Sequence, residues 1–465
     1  MGLAELSAAV RSRAVSAEEL VRTSLERIQR WNPELNAVVL VREQAIEEAR
    51  ALDARLARGE DPGDRPLLGL PLLVKDTEDA TGLPTTFGSL LRADAGPAEA
   101  DCEEVARLKA AGAIVVGKTN TPEFAFEGFT ANRLFGTTRN PWATAFSPGG
   151  SSGGSGAALA AGLAPLATGT DGGGSVRIPA SFCGLVGLKP TNGLVGQWPP
   201  PSWIELSTKG PLATSVGDAR LLLDVLRGPI AGAPTALPAW EPRPDARAGR
   251  ILATPRLVAH DRPLPPSLLE RFAVALRTLE EATGLPVEEI DPPFPPELDD
   301  EWALMAGVEE LTWVGRETVL AHLDELTDYF RAVMEWAAGV GVDAYLAARR
   351  RRFVYCRTLD ELLGEDGVLV CPTMCVEGFP AEGPDPGPLT DGADYNTQPT
   401  NSTGHPSLSV PCGVAPNGVP VGLQITGPRF RDDLVLAVGE AFERAAPWPV
   451  AAPGYEPFPM LGRVG

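Results

Sequence analysis

Helical and strand-like patterns of apolar residues alternate along the first part of the chain. Apolar positions three and four residues apart predict one helix from Ser16 to the Asn32-Pro33 pair and a second helix within residues 42–59. Residues 67–76, LLGLPLLVKD, form a short apolar run that predicts a buried strand.

Two later stretches extend this alternation. Residues 102–120 have the pattern of a helix, a glycine stop and a strand. Within residues 407–427, the Asn417-Gly418 pair separates two β-rich runs, as in a β-hairpin. Helices that alternate with buried strands are typical of α/β proteins, and a hairpin adds an antiparallel pair to the sheet. The pattern therefore predicts an α/β fold in which helices cover a mixed sheet.

Composition narrows the functional classes. The chain has 465 residues, of which 44% are hydrophobic, so it can bury a large core, while its length alone leaves the number of domains open. Its net charge of −21 disfavours nucleic acids and anionic membranes as partners. No stretch reaches the ~20 apolar residues of a membrane span, and the first residues lack a signal-peptide core. We expect a cytoplasmic protein.

Cysteine and histidine are scarce. The six cysteines show no CxxC pair, which is typical of a reducing compartment. Cys371 and Cys375 lie close together in the sequence, but the chain has only three histidines and no zinc-ligand pattern surrounds this pair. We therefore predict neither a metal nor a cofactor.

Two short motifs match known functional patterns in unsuitable contexts. Gly112–Thr119, GAIVVGKT, fits the Walker A pattern of nucleotide-binding proteins, but its variable positions have the pattern of a strand rather than a phosphate-binding turn. Residues 150–154, GSSGG, fit the nucleophile elbow of α/β-hydrolases with Ser152 at the centre, but a turn precedes them instead of a strand. His405 is the downstream histidine best suited to serve as the base for Ser152. Both functions stay open as alternatives.

A third glycine-rich stretch has a more suitable context. Residues 171–175, DGGGS, place Ser175 after three glycines, so backbone N–H groups can converge on a small anion, as in an oxyanion hole. Apolar runs at residues 157–167 and 182–188 bracket this stretch and favour burial. A serine nucleophile needs a base, and the scarcity of histidine points to lysine. Lys75 follows an apolar run, where burial would lower its pKa from about 10.4.

A long run without gaps joins the two glycine-serine motifs, and it reads GGSSGGSGAALAAGLAPLATGTDGGGSVRIPASFCGLVGLKPT. Together with LLVKD upstream and with GKTNTPEF and RNPW in between, this run closely resembles the amidase signature family of serine amide hydrolases. The resemblance is dense from Leu67 to Thr191 and continues more thinly toward both ends of the chain.

The resemblance implies a role for each matching residue. The family's nucleophile corresponds to Ser175, its bridging serine, which follows a cis peptide bond, to Ser151, and its lysine to Lys75. The remaining implied residues are the oxyanion donors, which are the backbone N–H groups of Gly172, Gly173, Gly174 and Ser175; the bracing residues Ser152, Asp171 and Arg177; and the substrate contacts Phe126 and Glu127. The implied reaction is amide hydrolysis through an acyl-enzyme, in which a proton passes from the nucleophile through the bridging serine to the lysine.

The family fold implies one α/β/α domain over residues 1–465, built around a twisted mixed sheet. Its catalytic core would span residues 67–215, and a variable helical region at residues 229–367 would shape the substrate pocket. Two positions depart from the family pattern. Gly172 stands where Thr, Ile or Ala is usual, which predicts a looser oxyanion loop, and Leu194 replaces a frequent arginine.

Within the family, two kinds of protein share these motifs. One is a free amidase, and the other is the amidase subunit of a tRNA-dependent amidotransferase. Residues 120–130, NTPEFAFEGFT, differ from the Asn-Met-Asp-Glu-Phe run of the amidotransferase subunits, and the Arg-Tyr-Gly-Leu stretch usual after their Lys-Pro-Thr turn is missing. We therefore expect a free amidase acting on a small-molecule amide, with a homodimer as the default assembly. The sequence does not distinguish among linear amides, cyclic amides, anilides and esters as substrates.

Overall fold

The computed structural model describes residues 1–238, 240–384 and 391–459, so residues 239, 385–390 and 460–465 of the predicted domain lie outside the described residues. The helices in the described part are α1 (Leu3–Arg11), α2 (Ala17–Leu35), α3 (Ala45–Ala57), α4 (Glu103–Ala110), α5 (Gly153–Ala160), α6 (Arg177–Cys183), α7 (Val216–Leu226), α8 (Pro266–Thr283), α9 (Glu297–Val314), α10 (Arg316–Ala321), α11 (Asp328–Ala337), α12 (Val342–Leu363), α13 (Gln398–Thr403) and α14 (Asp432–Ala445). The strands are β1 (Val38–Val41), β2 (Pro71–Lys75), β3 (Ile114–Thr119), β4 (Ala131–Asn132), β5 (Gly136–Thr137), β6 (Leu166–Ala167), β7 (Thr170–Asp171), β8 (Val186–Lys189), β9 (Thr208–Lys209), β10 (Leu212–Ala213), β11 (Arg250–Ala253), β12 (Val287–Glu289), β13 (Gly367–Pro372), β14 (Ser407–Val414) and β15 (Pro420–Thr426).

One large mixed sheet organises the fold. Its 11 strands follow the order β1-β3-β2-β6-β10-β8-β14-β15-β13-β11-β12. Strands β3, β2 and β6 are parallel, as are β13, β11 and β12, while the strands between these two groups pair antiparallel. Helices surround the sheet, and α6 packs against β8, β14 and β15. The prediction of an α/β fold with a helix-covered mixed sheet is confirmed.

Apolar residues of the sheet and of its covering helices form the main core. Leu72 and Val74 of β2, Val116 of β3 and Ala157 of α5 are fully buried members of one contiguous cluster. In the described part of the chain, every helix is too short or too polar to cross a membrane.

The predicted end of the first long helix was wrong. The sequence pattern ended it at the Asn32-Pro33 pair, whereas α2 contains Pro33 and continues to Leu35. Proline removes one backbone donor but need not end a helix whose last turn is stabilised in another way. Here the Asn32 side chain accepts the N–H groups of two residues just beyond the helix, at 2.8 Å each. Asn36, in the left-handed conformation at φ 49°, then ends the helix.

Three element ends meet where the functional residues were predicted. Strand β2 ends at Lys75, whose backbone N–H donates to Thr168 Oγ1 at 2.8 Å, just beyond the neighbouring parallel strand β6. Helix α5 begins directly after the Ser151-Ser152 pair, and α6 begins two residues after Ser175. The end of strand β2 and the N-termini of α5 and α6 therefore bring side chains that are distant in sequence into one site.

Candidate active site

Lys75 is a buried lysine that contacts two hydroxyl groups. Its Nζ lies 2.7 Å from Ser151 Oγ and 2.8 Å from Thr170 Oγ1, and the residue is 0% exposed. Burial lowers the pKa of this amine from 10.5 to about 7, although the nearby Glu78 opposes the shift. The adjacent Asp76 does not pair with it, because Asp76 contacts Lys118 and Thr86 instead. A large fraction of Lys75 is therefore neutral near pH 7 and able to accept a proton.

Ser151 and Ser175 lie on the wall of one cavity of about 410 Å³. The Gly150–Ser151 peptide bond is cis, and the backbone N–H of Ser152 donates to the carbonyl of Ser175 at 3.1 Å, so the two serine loops are in direct contact. Among the described residues, Lys75 is the only hydrogen-bond partner of Ser151 Oγ, and the Ser175 hydroxyl bonds no protein group. The Ser175 hydroxyl therefore faces the cavity without a competing acceptor.

The glycine loop that precedes Ser175 is fixed through its carbonyl groups. The Trp302 indole donates to the Gly172 carbonyl at 3.0 Å, and Thr397 Oγ1 donates to the Gly173 carbonyl at 2.6 Å. Within the described residues, the backbone N–H groups of Gly172, Gly173 and Ser175 have no acceptor. These three unpaired donors beside a serine hydroxyl are the arrangement that stabilises a developing oxyanion.

Gly174 differs from the sequence-based prediction. Its N–H donates to Asp171 Oδ1 at 2.8 Å and is therefore engaged within the loop, whereas the sequence placed it among the oxyanion donors. Its φ of +128° is a conformation that residues with a side chain rarely adopt. Gly174 thus allows the chain to turn so that the neighbouring N–H groups stay unpaired.

The glycine at position 172 does not produce the looser loop that the sequence comparison suggested. A Cβ atom at Gly172 would lie 2.3 Å from the ring of Trp203, and one at Gly173 would lie 2.4 Å from the ring of Trp302. The two tryptophan rings pack edge to face, with centroids 5.5 Å apart. The indoles therefore occupy the space that larger residues would need, and they hold the loop in place.

A Trp302→Phe substitution tests this support. Phenylalanine keeps an aromatic ring against the loop but loses the N–H donor, so we expect kcat to fall roughly threefold to tenfold with little change in KM. The matched control is Trp313→Phe, because Trp313 lines the 410 Å³ cavity but is 40% exposed and makes no hydrogen bond to the loop. An equal loss of kcat in both variants would contradict the role of the Trp302 N–H.

A buried ion pair between Arg177 and Asp171 anchors the glycine loop. Arg177 and Asp171 are both 0% exposed, and Arg177 Nη2 lies 2.8 Å from Asp171 Oδ1. Although burial opposes ionisation, the charge and hydrogen bonds of Arg177 hold the pKa of Asp171 at about 2. Arg177 also donates to Thr400, Gln424 and Asn401, which satisfies its remaining N–H groups. This network connects the glycine loop to α13 and β15.

We expect Arg177→Met to destabilise the protein strongly. The substitution leaves the Asp171 carboxylate buried without its cation, a change that typically lowers the free energy of unfolding by about 3 to 5 kcal/mol. Arg220→Met is the control, because Arg220 and Glu440 form a partly exposed ion pair, with side chains 33% and 30% exposed, whose loss should change stability by less than about 1 kcal/mol. Urea unfolding of both variants measures the difference, and equal stability losses would contradict the anchoring role.

Ser175 also borders a second cavity, of about 440 Å³. Phe126 and Glu127, the substrate contacts suggested by sequence, both lie on its wall, and Trp203 lines both cavities. Aromatic residues from several elements complete the walls: Phe87, Phe124, Trp198 and Trp313 in the first cavity, and Trp302, Trp336 and Tyr395 in the second. A larger cavity of about 520 Å³ adjoins the first one, because Gln197, Pro200, Pro201 and Ser207 line both, but its wall includes none of Lys75, Ser151 and Ser175.

The structure also decides between the motif-based alternatives. Residues 114–119 are the buried strand β3, and Lys118 donates to the Glu78 carbonyl at 2.6 Å, so this segment is not a phosphate-binding loop. Ser152 Oγ accepts the Thr170 N–H at 3.3 Å, while His405 is buried 3.2 Å from Asp360. Among the described residues, no hydrogen bond joins Ser152 to His405, so an α/β-hydrolase triad is not assembled.

The sequence reasoning missed several residues of this site. Thr170 bonds Lys75 but precedes Asp171 without a motif of its own, and only its place inside the glycine-rich run could have suggested it. Trp302 lies on α9, where no sequence signal connects it to the glycine loop. Leu194, which replaces a frequent arginine of the family, is a buried part of the main core and bears no charge into the site.

Comparison with known proteins identifies close relatives over almost the whole chain. A family model described as Amidase matches residues 19–436. The chain is 35% identical to an acylamidase from Rhodococcus erythropolis, over 96% of this chain and 95% of that protein. It is 36% identical to a glutamyl-tRNA(Gln) amidotransferase subunit from Cyanothece sp., over 96% and 98% of the two chains. Its fold matches the crystal structure of a bacterial aryl acylamidase of the amidase signature family with a TM-score of 0.86, at 30% identity and 96% coverage of both chains.

Proposed function

This chain belongs to the amidase family, and we propose that it hydrolyses small-molecule amides with Ser175 as nucleophile, Ser151 as proton relay and Lys75 as base. The family assignment makes the protein a hydrolase of carbon–nitrogen bonds. The observation that carries the finer proposal is the buried amine 2.7 Å from Ser151 Oγ, next to three unpaired backbone N–H groups.

The reaction begins with proton transfer along the two serines. Neutral Lys75 takes the proton of Ser151 as Ser151 takes the proton of Ser175, and Ser175 Oγ forms a bond to the amide carbon. The carbonyl oxygen becomes an oxyanion that accepts hydrogen bonds from the N–H groups of Gly172, Gly173 and Ser175. The described residues show no hydrogen bond between Ser151 Oγ and Ser175 Oγ, so this mechanism requires that bond to form when substrate binds, as catalytic hydrogen bonds commonly tighten in the complex.

Collapse of the oxyanion breaks the carbon–nitrogen bond. The proton held by Lys75 returns through Ser151 to the departing amine, which leaves the acyl group on Ser175. A water molecule then gives its proton to the same relay and attacks the acyl carbon, and the second collapse returns a proton to Ser175 Oγ. The products are one amine and one carboxylic acid, and the enzyme is restored.

The cavity walls support apolar substrates. Aromatic rings of Phe126, Trp203 and Trp302 lie close to the nucleophile and form one edge-to-face series. Glu310, on the wall of the first cavity, forms no ion pair within the described residues, and burial raises its pKa to about 8, so it is mostly uncharged at neutral pH. These walls favour neutral amides with aryl or long acyl groups. Phe126 and Glu127 are the proposed substrate contacts.

A panel of amides tests the proposal. The purified chain alone, without ATP or a second protein, should hydrolyse anilides and apolar linear amides more readily than polar amides such as glutamine. A fluorophosphonate should label Ser175, as located by peptide mass spectrometry. Labelling at another serine, or an absence of hydrolysis across anilides, linear amides, cyclic amides and esters, would contradict the proposal.

The similarity to an amidotransferase subunit favours a second candidate function. Such a subunit would act within an assembly that uses a tRNA substrate. Hydrolysis of anilides by the isolated chain supports the free amidase, whereas ammonia release that requires glutamine and a tRNA-binding partner would support the amidotransferase. A cytoplasmic location and a homodimer stay predictions, which cell fractionation and light scattering can check.

A further inference from the structure

Two buried carboxyl groups and one lysine lie beside the candidate base. Lys209 Nζ is 2.5 Å from Glu78 Oε1 and 3.8 Å from Glu104 Oε2. The Glu78 and Glu104 side chains are at most 1% exposed, and the Lys209 side chain is 17% exposed. The backbone N–H of Glu78 donates to the carbonyl of Lys75 at 3.0 Å, so this cluster is attached directly to the end of β2.

The position of Lys209 in β9 directs its side chain toward Thr170 and Lys75. In the antiparallel pair of β7 and β9, Lys209 lies directly opposite Thr170. Side chains of directly opposed residues project from the same face of a sheet. Thr170 is the residue whose hydroxyl lies 2.8 Å from Lys75 Nζ, so Lys209, from β9, and Lys75, from the end of β2, both lie beside Thr170.

Lys209 and Glu78 form the closest charge pair of this cluster. Glu78 Oε2 and Glu104 Oε2 are both buried, and Lys209 Nζ lies 3.8 Å from Glu104 Oε2. Burial and the nearby Glu78 raise the pKa of Glu104 well above its usual value, which favours the protonated carboxyl that bonds Glu78. Burial also favours protonation of Glu78, but the charge of Lys209 and the hydrogen bonds that Glu78 makes to its neighbours together outweigh burial and lower the pKa of Glu78. One positive and one negative charge therefore balance in the cluster.

Among the described residues, the four charged or titratable groups with the largest effect on Lys75 come from different elements. They are Glu78 after β2, Glu104 on α4, Asp171 on β7 and Lys209 on β9. Asp171 is already neutralised by its buried ion pair on the other side of the glycine loop. The Glu78 charge is thus the one that would stabilise a protonated Lys75, and Lys209 is the cation that compensates it.

We propose that Lys209 is a positioning residue that keeps Lys75 in its uncharged, proton-accepting form by neutralising Glu78. This inference rests on the proposed function, because it concerns the base of that reaction. Removal of Lys209 leaves one net negative charge beside Lys75, which favours the ammonium form. Removal of the Glu78 charge instead weakens the negative potential at Lys75, which disfavours the ammonium form.

The pH dependence of fluorophosphonate labelling tests this inference without a known substrate. The rate should fall at low pH as Lys75 becomes protonated. We expect the midpoint to move upward by about one to two pH units in Lys209→Met and downward in Glu78→Gln. The double variant Lys209→Met/Glu78→Gln restores neutrality, so its midpoint should return to within about half a pH unit of the wild type.

The opposite shifts and their cancellation separate an electrostatic role from a merely structural one. Unshifted midpoints in the folded single variants, shifts in the same direction, or a double variant that fails to recover would overturn the inference. If Lys209→Met does not fold, Glu78→Gln and the double variant still decide the matter. If Lys75→Met retains the acidic midpoint of the wild type, Lys75 is not the base and the proposed function itself fails.

Discussion

Replacement of Ser175 by alanine is expected to lower amide hydrolysis by roughly 10⁴- to 10⁶-fold, because the substitution removes the atom that forms the acyl-enzyme. The Ser175 hydroxyl makes no hydrogen bond to the described protein, so its loss should leave the fold intact. The unpaired N–H groups of the glycine loop would still bind the carbonyl oxygen, so KM should change little. Steady-state hydrolysis of the best substrate in the amide panel measures the effect, and intact mass after fluorophosphonate treatment should show no adduct.

Ser152→Ala is the matched control for this experiment. Ser152 is adjacent to the bridging serine and also buried, but its Oγ bonds the backbone of Thr170 rather than Lys75. We expect a reduction of no more than about tenfold, which corresponds to the loss of a local hydrogen bond. Near-normal turnover in Ser175→Ala, or a larger loss in Ser152→Ala than in Ser175→Ala, would show that Ser175 is not the nucleophile.

Lys75→Met should cause the second largest loss of activity, about 10²- to 10⁴-fold in kcat, since it removes the base but keeps an unbranched side chain of similar length. The chemical step slows because Ser151 can no longer pass on its proton. The same measurement with Lys118→Met provides a comparison, because Lys118 is also buried and lies in the adjacent strand but contacts Asp76 and Thr85 instead of the serines. That variant should lose stability rather than show the specific loss of kcat.

The pH profile of the wild type gives an independent check of the same base. The pKa of Lys75 is lowered to about 7 by burial, and only the uncharged amine accepts a proton. Activity should therefore be full above this pKa and fall about tenfold for each pH unit below it. In Lys75→Met, the remaining activity should lack this acidic decline. A wild-type profile that stays flat between pH 5 and 8 would contradict a lysine base with this pKa.

Local patterns predicted much of the fold. Strand β2 and the hairpin of β14 and β15 follow from short apolar runs and an Asn-Gly turn, because these signals are local. The predicted end of α2 was wrong because it relied on Pro33 alone. The stabilising contacts of Asn32 reach residues beyond the helix, and no local pattern shows them.

The site was less accessible to sequence reasoning than the fold. The family resemblance pointed to Lys75, Ser151 and Ser175, which lie far apart in the chain. The structure places Ser151 and Ser175 on the wall of one cavity with Lys75 bonded to Ser151, although their roles stay proposals. Trp302 was missed because it acts through a contact with Gly172, more than a hundred positions away. Lys209 was missed because it acts through its place opposite Thr170 in a paired strand. The use of the Gly174 N–H was also unpredictable, since glycine permits many backbone directions and only the contact with Asp171 selects one.

The position of Ser175 at the junction of two cavities has a consequence for substrate range. An amide consists of two parts joined at the scissile bond, and cavities of about 410 and 440 Å³ meet at Ser175, the proposed nucleophile, with Trp203 on both walls. Each part of the molecule can then be accommodated by a different set of side chains. Substitutions in one cavity could change which acyl groups fit without changing which amine groups fit in the other. Related enzymes with the same chemistry could therefore differ in selectivity for only one part of the substrate.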